Sequence, residues 1–331
     1  MIGLPGAPVE SVAWALVNRG NTHGRAGEMA LAIADYTAVI GLPDAPVEQV
    51  AWALVNLGIT HGQAGETQLA IGDFTAAIGL PGAPVGSVAR ALVNRGVAHW
   101  QAGQTQLAIA DYTAVIGLPD APVELVANAL YFRGFTYLKT SRKQEVQSDF
   151  EAVFRLPDAP AETVVDSSLA LAGLHFGDGR WIEGFQSLEA GLEHGAKAQP
   201  PYPGSATGLI GVVFAAGLSP EGRREKIRNL LDRYDKYQAL PVLGEAVVQH
   251  IGEVFRAGEP FPSTDNLEGW ALAWEQAAAS VPGFRLSVRL LRTGINFVKA
   301  GGKDPGILLD LTSPERAILK QALGLAETEP A

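Results

Sequence analysis

The phrase "GLPDAPVE" at residues 41–48 returns along the chain with a fixed step of 38 residues. "GLPGAPVE" stands at 3–10, "GLPGAPVG" at 79–86, "GLPDAPVE" again at 117–124 and "RLPDAPAE" at 155–162. In register, residues 1–38, 39–76, 77–114, 115–152 and 153–190 form five copies. The first two copies agree at 28 of 38 positions, whereas the fifth keeps little beyond "LPDAP" and scattered apolar sites. A period between about 20 and 50 residues belongs to a solenoid, in which each unit buries its apolar face against its neighbours.

Each copy carries two helix-period segments and no strand alternation. In the second, Pro46 is suited to a helix start because its missing N–H would have no partner there, and Glu48 favours the positive end of the helix dipole. Val47, Val50, Ala51, Leu54, Val55 and Gly58 then recur at steps of three and four. "QAG" interrupts, with Gly65 able to adopt the left-handed conformation that ends helices. "ETQLAIGDFTAAI" forms the second helix, stopped by Gly79 and Pro81. An all-α array of helical hairpins follows, and the opening phrase is its punctuation.

Inside the hairpin, Leu16, Arg19, Gly20 and His23 followed by Ala32 and Tyr36 resemble the tetratricopeptide repeat, with its large–large–small–aromatic and small–aromatic spacing. Leu54, Leu57, Gly58, His61, Ala70 and Phe74 repeat the pattern. So do Leu92, Arg95, Gly96, His99, Ala108 and Tyr112, then Leu130, Arg133, Gly134, Tyr137 and Phe150. The resemblance covers residues 1–190 and fades in the fifth copy, where Ala172, His175 and Leu188 echo it. It implies a right-handed α-solenoid over residues 1–194. The family's usual unit is about 34 residues; the four extra residues here, close to one helical turn, predict a longer first helix in each pair.

Residues 195–331 lose the period. "AKAQPPYPGSATG" at 196–208 reads as a linker, and Ser219-Pro220-Glu221, Ser263-Thr264-Asp265 and Ser313-Pro314-Glu315 read as helix starts. A helical C-terminal domain capping the solenoid is expected. At the other end, the chain begins inside the repeated phrase, which predicts a preceding hairpin body in a longer protein and an upstream domain as one candidate partner.

Charge narrows the function. Residues 1–194 hold 10 Lys plus Arg against 20 Asp plus Glu, with no lysine before Lys139, while 195–331 hold 15 of each. That field disfavours nucleic acid, whose phosphates require cations. The cluster Arg223, Arg224, Lys226, Arg228, Arg233 and Lys236 is interleaved with acids, as on a solvated helix face. The longest apolar run, 209–218, is too short for a membrane helix; the opening "MIGLPGAPVESV" shows neither the basic region nor the long apolar stretch of a secretory signal, and the sequence holds no cysteine. A cytoplasmic protein is expected.

No metalloprotease, nucleophile-elbow, phosphate-loop or dinucleotide motif occurs, so neither catalysis nor a cofactor is predicted. His23, His61 and His99 recur in separate repeat layers, and that distance argues against a shared metal. Asp35, Asp73, Asp111 and Asp149 also recur, either facing solvent or paired with Arg19, Arg95 and Arg133.

Asn18, Asn56 and Asn94 recur mid-helix, where asparagine is a poor choice for helix stability. An amide offers both donor and acceptor to an extended peptide. The resemblance places these three asparagines on the concave face, where the family grips ligand backbone. Trp14, Trp52 and Arg90, four residues before each asparagine, share that face, with Val55, Val93 and Tyr131 beside them. The expected function is a non-enzymatic scaffold binding a partly apolar peptide of a protein partner. The alternatives are a spacer or oligomerisation element with no groove ligand, or an enzyme or ligand sensor in 195–331.

Overall fold

The computed structural model describes residues 6–205, 223–257, 285–300 and 304–325, with isolated positions between 208 and 281. Ser219-Pro220-Glu221 and Ser263-Thr264-Asp265 lie outside them. The chain divides into two compact units, one up to Pro160 and one from Ala161.

The first unit is four helical hairpins: α1 (Val9–Arg25) with α2 (Met29–Ile40), α3 (Val47–Gln63) with α4 (Thr67–Ile78), α5 (Val85–Gln101) with α6 (Thr105–Ile116), and α7 (Val123–Lys139) with α8 (Lys143–Arg155). The first helix of each pair has 17 residues against 12 or 13 for its partner. Helices α1, α3, α5 and α7 pack in succession, and α2, α4 and α6 each pack on their own partner and on the first helix of the next copy, giving an all-α solenoid.

The repeated phrase is a tight turn between copies. Pro8, Pro46, Pro84 and Pro122 sit at the N-cap, one residue ahead of the first helical residue, with φ from −55° to −61°. The position four residues upstream of each first helix's second residue is Gly or Asp for a backbone reason. Gly6, Asp44, Gly82, Asp120 and Asp158 all have φ between 57° and 80°, a region open to glycine and tolerated by aspartate.

Within each hairpin a glycine admits a ring. A Cβ on Gly20, Gly58, Gly96 or Gly134 would sit 2.5–2.8 Å from the ring of Tyr36, Phe74, Tyr112 or Phe150. Those four rings are at most 3% exposed. The close approach lets small cores, such as Ala89, Leu92, Val93, Ala108, Tyr112 and Val115, close in every layer.

Ion pairs cross each hairpin beside that core. Arg19, Arg95 and Arg133 each grip Asp35, Asp111 or Asp149 with two hydrogen bonds of 2.5–2.9 Å. The second copy holds Leu57 instead, and Asp73 accepts from His61 Nδ1 at 2.6 Å. Burial raises the Asp73 carboxyl above its ordinary range, with the His61 hydrogen bond opposing.

The second unit begins earlier than the 194/195 boundary expected from the sequence. The fifth copy, α9 (Ala161–Gly177) and α10 (Trp181–Lys197), falls within it. Val165, Leu169, Phe176, Leu188 and Leu192 join one apolar core with Ile227, Leu230, Leu231 and Tyr234 of α11 (Arg223–Lys236). Helices α12 (Leu240–Ala257), α13 (Arg285–Lys299) and α14 (Ser313–Leu323) and a 3-10 turn at Pro305–Asp310 complete its described residues. Thr312 and Glu315 form a capping box at the start of α14. The basic cluster on α11 is drawn into this packing. Lys226 lies 3.7 Å from the Trp181 ring centre and Arg233 4.2 Å from that of Phe185, while Lys236 reaches Glu189 at 2.5 Å. No described helix is long and apolar enough to cross a membrane.

Candidate ligand cleft of the repeat array

The first helices of successive copies stand side by side, so residues on their shared outer face meet across layers. A cleft of about 800 Å³ opens along this face of the first unit. The end of α1 contributes Asn21, Gly24 and Arg25; α3 contributes Glu48, Trp52, Val55, Asn56, Ile59, Thr60 and Gln63. The start of α5 brings Pro84, Gly86, Ser87 and Arg90, and the start of α7 brings Pro122 and Leu125.

Of the nine residues singled out from the sequence, the cleft gathers Trp52, Val55, Asn56 and Arg90. Trp52 is 47% exposed, a large aromatic surface facing solvent within a concave wall. Val55 lines the floor as a buried residue. Arg90 is exposed. Asn18 is exposed but outside the cleft, its Nδ2 donating to the carbonyl of Trp14 at 2.9 Å in its own helix. Trp14 is exposed on the same helix, also outside the cleft. Asn94 is half-buried, and Val93 is a core residue at 5% exposure. Tyr131 packs in an aromatic cluster, 5.5 Å from Phe132 and 4.8 Å from Phe135 between ring centres.

The amides do not form one uniform row. Asn56 Nδ2 donates to Asn21 Oδ1 at 3.0 Å, and the same oxygen accepts from the Tyr36 hydroxyl at 2.8 Å. Asn21 is thus the hub of a polar bridge between the first two copies, within the cleft. Its repeat equivalents are Ile59, Val97 and Phe135, so a search for recurring residues passes over it. Burial raises the Tyr36 hydroxyl above its ordinary range, aided by the charge of Asp35, and keeps it a neutral donor. The sequence signal for Asn21 was its singularity within an apolar column.

The recurring histidines are spent locally. His23 Nδ1 lies 2.5 Å from Glu28, His61 Nδ1 2.6 Å from Asp73 and His99 Nδ1 2.6 Å from Gln104. Among the described residues no group of three or more His, Cys, Asp or Glu converges as a metal site. A second cleft, of about 530 Å³, lies in the C-terminal unit beside α13. Its Arg292 and Arg289 are paired with Glu275 and Glu315.

The tetratricopeptide-repeat family model matches residues 89–121, which run from the middle of α5 to the turn after α6. The matched residues read as one tetratricopeptide repeat, whose 38-residue spacing the neighbouring copies share, and repeats of that family generally mediate contacts between proteins. No curated protein matches the chain. Among solved structures, a crystal structure of MamA is 22% identical, covering 55% of this chain and 97% of that one with a TM-score of 0.44. A tetratricopeptide repeat protein from Parabacteroides merdae ATCC 43184 is 16% identical, covering 95% and 99% respectively, also with a TM-score of 0.44.

Proposed function

We propose that this tetratricopeptide-repeat chain is a non-enzymatic interaction module that binds an extended segment of a partner protein in the cleft of its first unit. The observation that carries the reading is the meeting of Trp52, Asn56 and Arg90 from two adjacent copies in one concavity of about 800 Å³. An exposed indole offers apolar area and rigid shape. The amide of Asn56 keeps its carbonyl oxygen for a ligand N–H while its NH₂ is held by Asn21. An extended peptide presents N–H groups and alternating side chains to such a surface. The cleft volume lies in the range of ligand pockets, about 300–1,000 Å³.

The test is selection of peptides from a displayed random library against the full chain. Selected peptides should compete with one another. Their affinity should fall about tenfold or more in Trp52→Ala, and measurably in Asn56→Ala, while Leu69→Ala, exposed outside the cleft, leaves it unchanged. Peptides indifferent to Trp52 and Asn56, or no selectable peptide at all, would favour the spacer reading.

A further inference from the structure

We propose that the second helices of the first three copies form a self-association surface, on which a second copy of this chain docks about a two-fold axis. The surface lies on α2, α4 and α6, whereas the cleft is built mainly on the first helices, so it does not rest on the peptide-binding reading.

The first observation is exposed apolar area without charge. Leu31, Leu69 and Leu107 occupy one position of α2, α4 and α6 and are 50–55% exposed. Among the described residues of the first unit, Trp14 is the one other large apolar side chain at least half exposed. The other exposed positions of the three helices hold only Ala, Gly, Thr and Gln. Each helix has a single charged residue, Asp35, Asp73 or Asp111, and it is turned inward to an arginine or histidine. Residues 1–194 otherwise carry 20 Asp plus Glu against 10 Lys plus Arg. Two copies meeting by other faces would bring like charges together; on this face they do not.

The second observation is that the polar groups of the stripe need nothing from water. The hydroxyls of Thr37, Thr75 and Thr113 donate to the carbonyls of Ile33, Ile71 and Ile109 in their own helices, each at 2.7 Å. Covering them strands no donor.

The third observation is self-complementarity. Leu69, Gly72 and Ala76 follow one stripe of α4 at steps of three and four. Leu69 lies about 4.5 Å before Gly72 along the helix, and Ala76 about 6 Å beyond it. A two-fold axis running across the helices at Gly72 sets each helix antiparallel on its own equivalent. Leu69 of each copy then lies over Ala76 of the other, large on small, as a closed isologous pair requires. Leu31 with Ala38, and Leu107 with Ala114, repeat the fit in the flanking rows. Three such rows match a partner stacked with the same 38-residue unit, which is why the occupant is a second copy. Three 12-residue helices, each about 18 Å long and 10 Å wide, offer about 500 Å² per copy. The two copies together reach about 1,000 Å², the lower bound of a specific interface, so the pair is reversible. The fourth copy ends the surface. There Glu145 and Glu151 replace the leucine and threonine and pair with Arg142 and Arg155, as on a solvated helix.

Sedimentation velocity of the full chain, between about 1 and 200 μM, is the first test. The wild type should pass from monomer to dimer with concentration. Leu69→Glu, at an exposed helical site, should weaken the pair by about tenfold or more, whereas Leu138→Glu, exposed at the end of α7, should dimerise as the wild type does. The second test uses the absence of cysteine. Gly72→Cys places one thiol at the axis, where a Cβ has open space, and Gly177→Cys places one at an equally open site on α9. Mild oxidation should link Gly72→Cys into covalent dimers much faster than Gly177→Cys. A wild type that stays monomeric throughout, a dimer unaffected by Leu69→Glu, or equal linking of the two cysteine variants overturns the proposal. A monomer that floats with phosphatidylcholine vesicles also overturns it and assigns the face to lipid.

Discussion

Copies one to four and copy five share a period but pack their hairpins in opposite senses. In the first four, the small residue lies on the first helix, and the second helix supplies the ring that covers it. In the fifth, Ala172 occupies the glycine position, and Phe176 of the first helix instead covers Gly184 of the second. Gly191 on the second helix likewise admits Ser168 of the first. Phe176 then stacks on Trp181 at 5.1 Å and meets Phe185 at 5.0 Å. With its small residues moved to α10, the fifth hairpin presents apolar side chains that enter the core of the C-terminal unit. A shared period therefore does not secure a shared packing scheme. The placement of the small residue decides which helix faces which neighbour.

Substitution of the small residue should have the largest effect. Gly96→Ala places a methyl 2.5 Å from the Tyr112 ring and is expected to destabilise the array by about 1–3 kcal/mol. Ala172→Gly, at the equivalent position of the fifth copy, should cost only about 0.5–1 kcal/mol through chain entropy. Hydrogen exchange in α5 and α9 reads each change locally, which suits an array whose units open separately. Equal costs would break the distinction between the two packing schemes.

Next in size is the ion pair that the fifth copy lacks. Asp111→Ala removes both acceptors of Arg95, whose side chain is 20% exposed against 8% for Asp111. A loss of about 1–2 kcal/mol is expected, read from denaturant midpoints. The fifth copy carries Ser187 in place of that aspartate, and its hydroxyl donates to the Glu183 carbonyl at 2.9 Å. Ser187→Ala should be close to neutral.

The smallest effect concerns pH. Burial raises the Asp166 carboxyl, with hydrogen bonds from the Ser205 N–H and the Tyr202 hydroxyl opposing. The folded chain therefore binds this proton to higher pH than the unfolded chain, and stability falls as pH rises from about the ordinary value of 3.8 through the raised one. Asp73 has the same sign and cause. Asp166→Asn should flatten this slope in the C-terminal unit, and Asp73→Asn in the repeat array. Thermal midpoints between about pH 3 and 6 check both; a slope of the opposite sign would show that the hydrogen bonds outweigh burial.

The fold was legible because its information is periodic. Apolar spacing, the Gly–ring pairs and the prolines repeat often enough to expose two helices per copy and a lengthened first helix. The boundary of the units was not, because Val165, Leu169 and Leu192 look like ordinary repeat residues until α11 is packed against them. The cleft was half legible. Trp52, Asn56 and Arg90 came from a repeated column, but the same column led to Asn18 and Trp14, which bond within their own helix. A side chain's environment depends on the copies flanking it, and terminal or variant copies break the equivalence. Asn21, Arg25 and Gly86 are departures from the repeat, so a reading that rewards recurrence discounts them.

The arginine ladder has a mechanical side. Arg95 and Arg133 each reach back to a threonine hydroxyl of the preceding copy, Thr75 at 3.0 Å and Thr113 at 2.9 Å. These two junctions are riveted by guanidinium groups already clamped to aspartate. At the first junction Leu57 replaces the rivet, and Thr37 keeps only the bond to Ile33 of its own helix. There Leu57 packs into the apolar cluster of the first copy and the Asn21–Asn56 amide contact supplies the polar link, so this joint is closed by van der Waals contact and a neutral hydrogen bond where the next two are closed by charge.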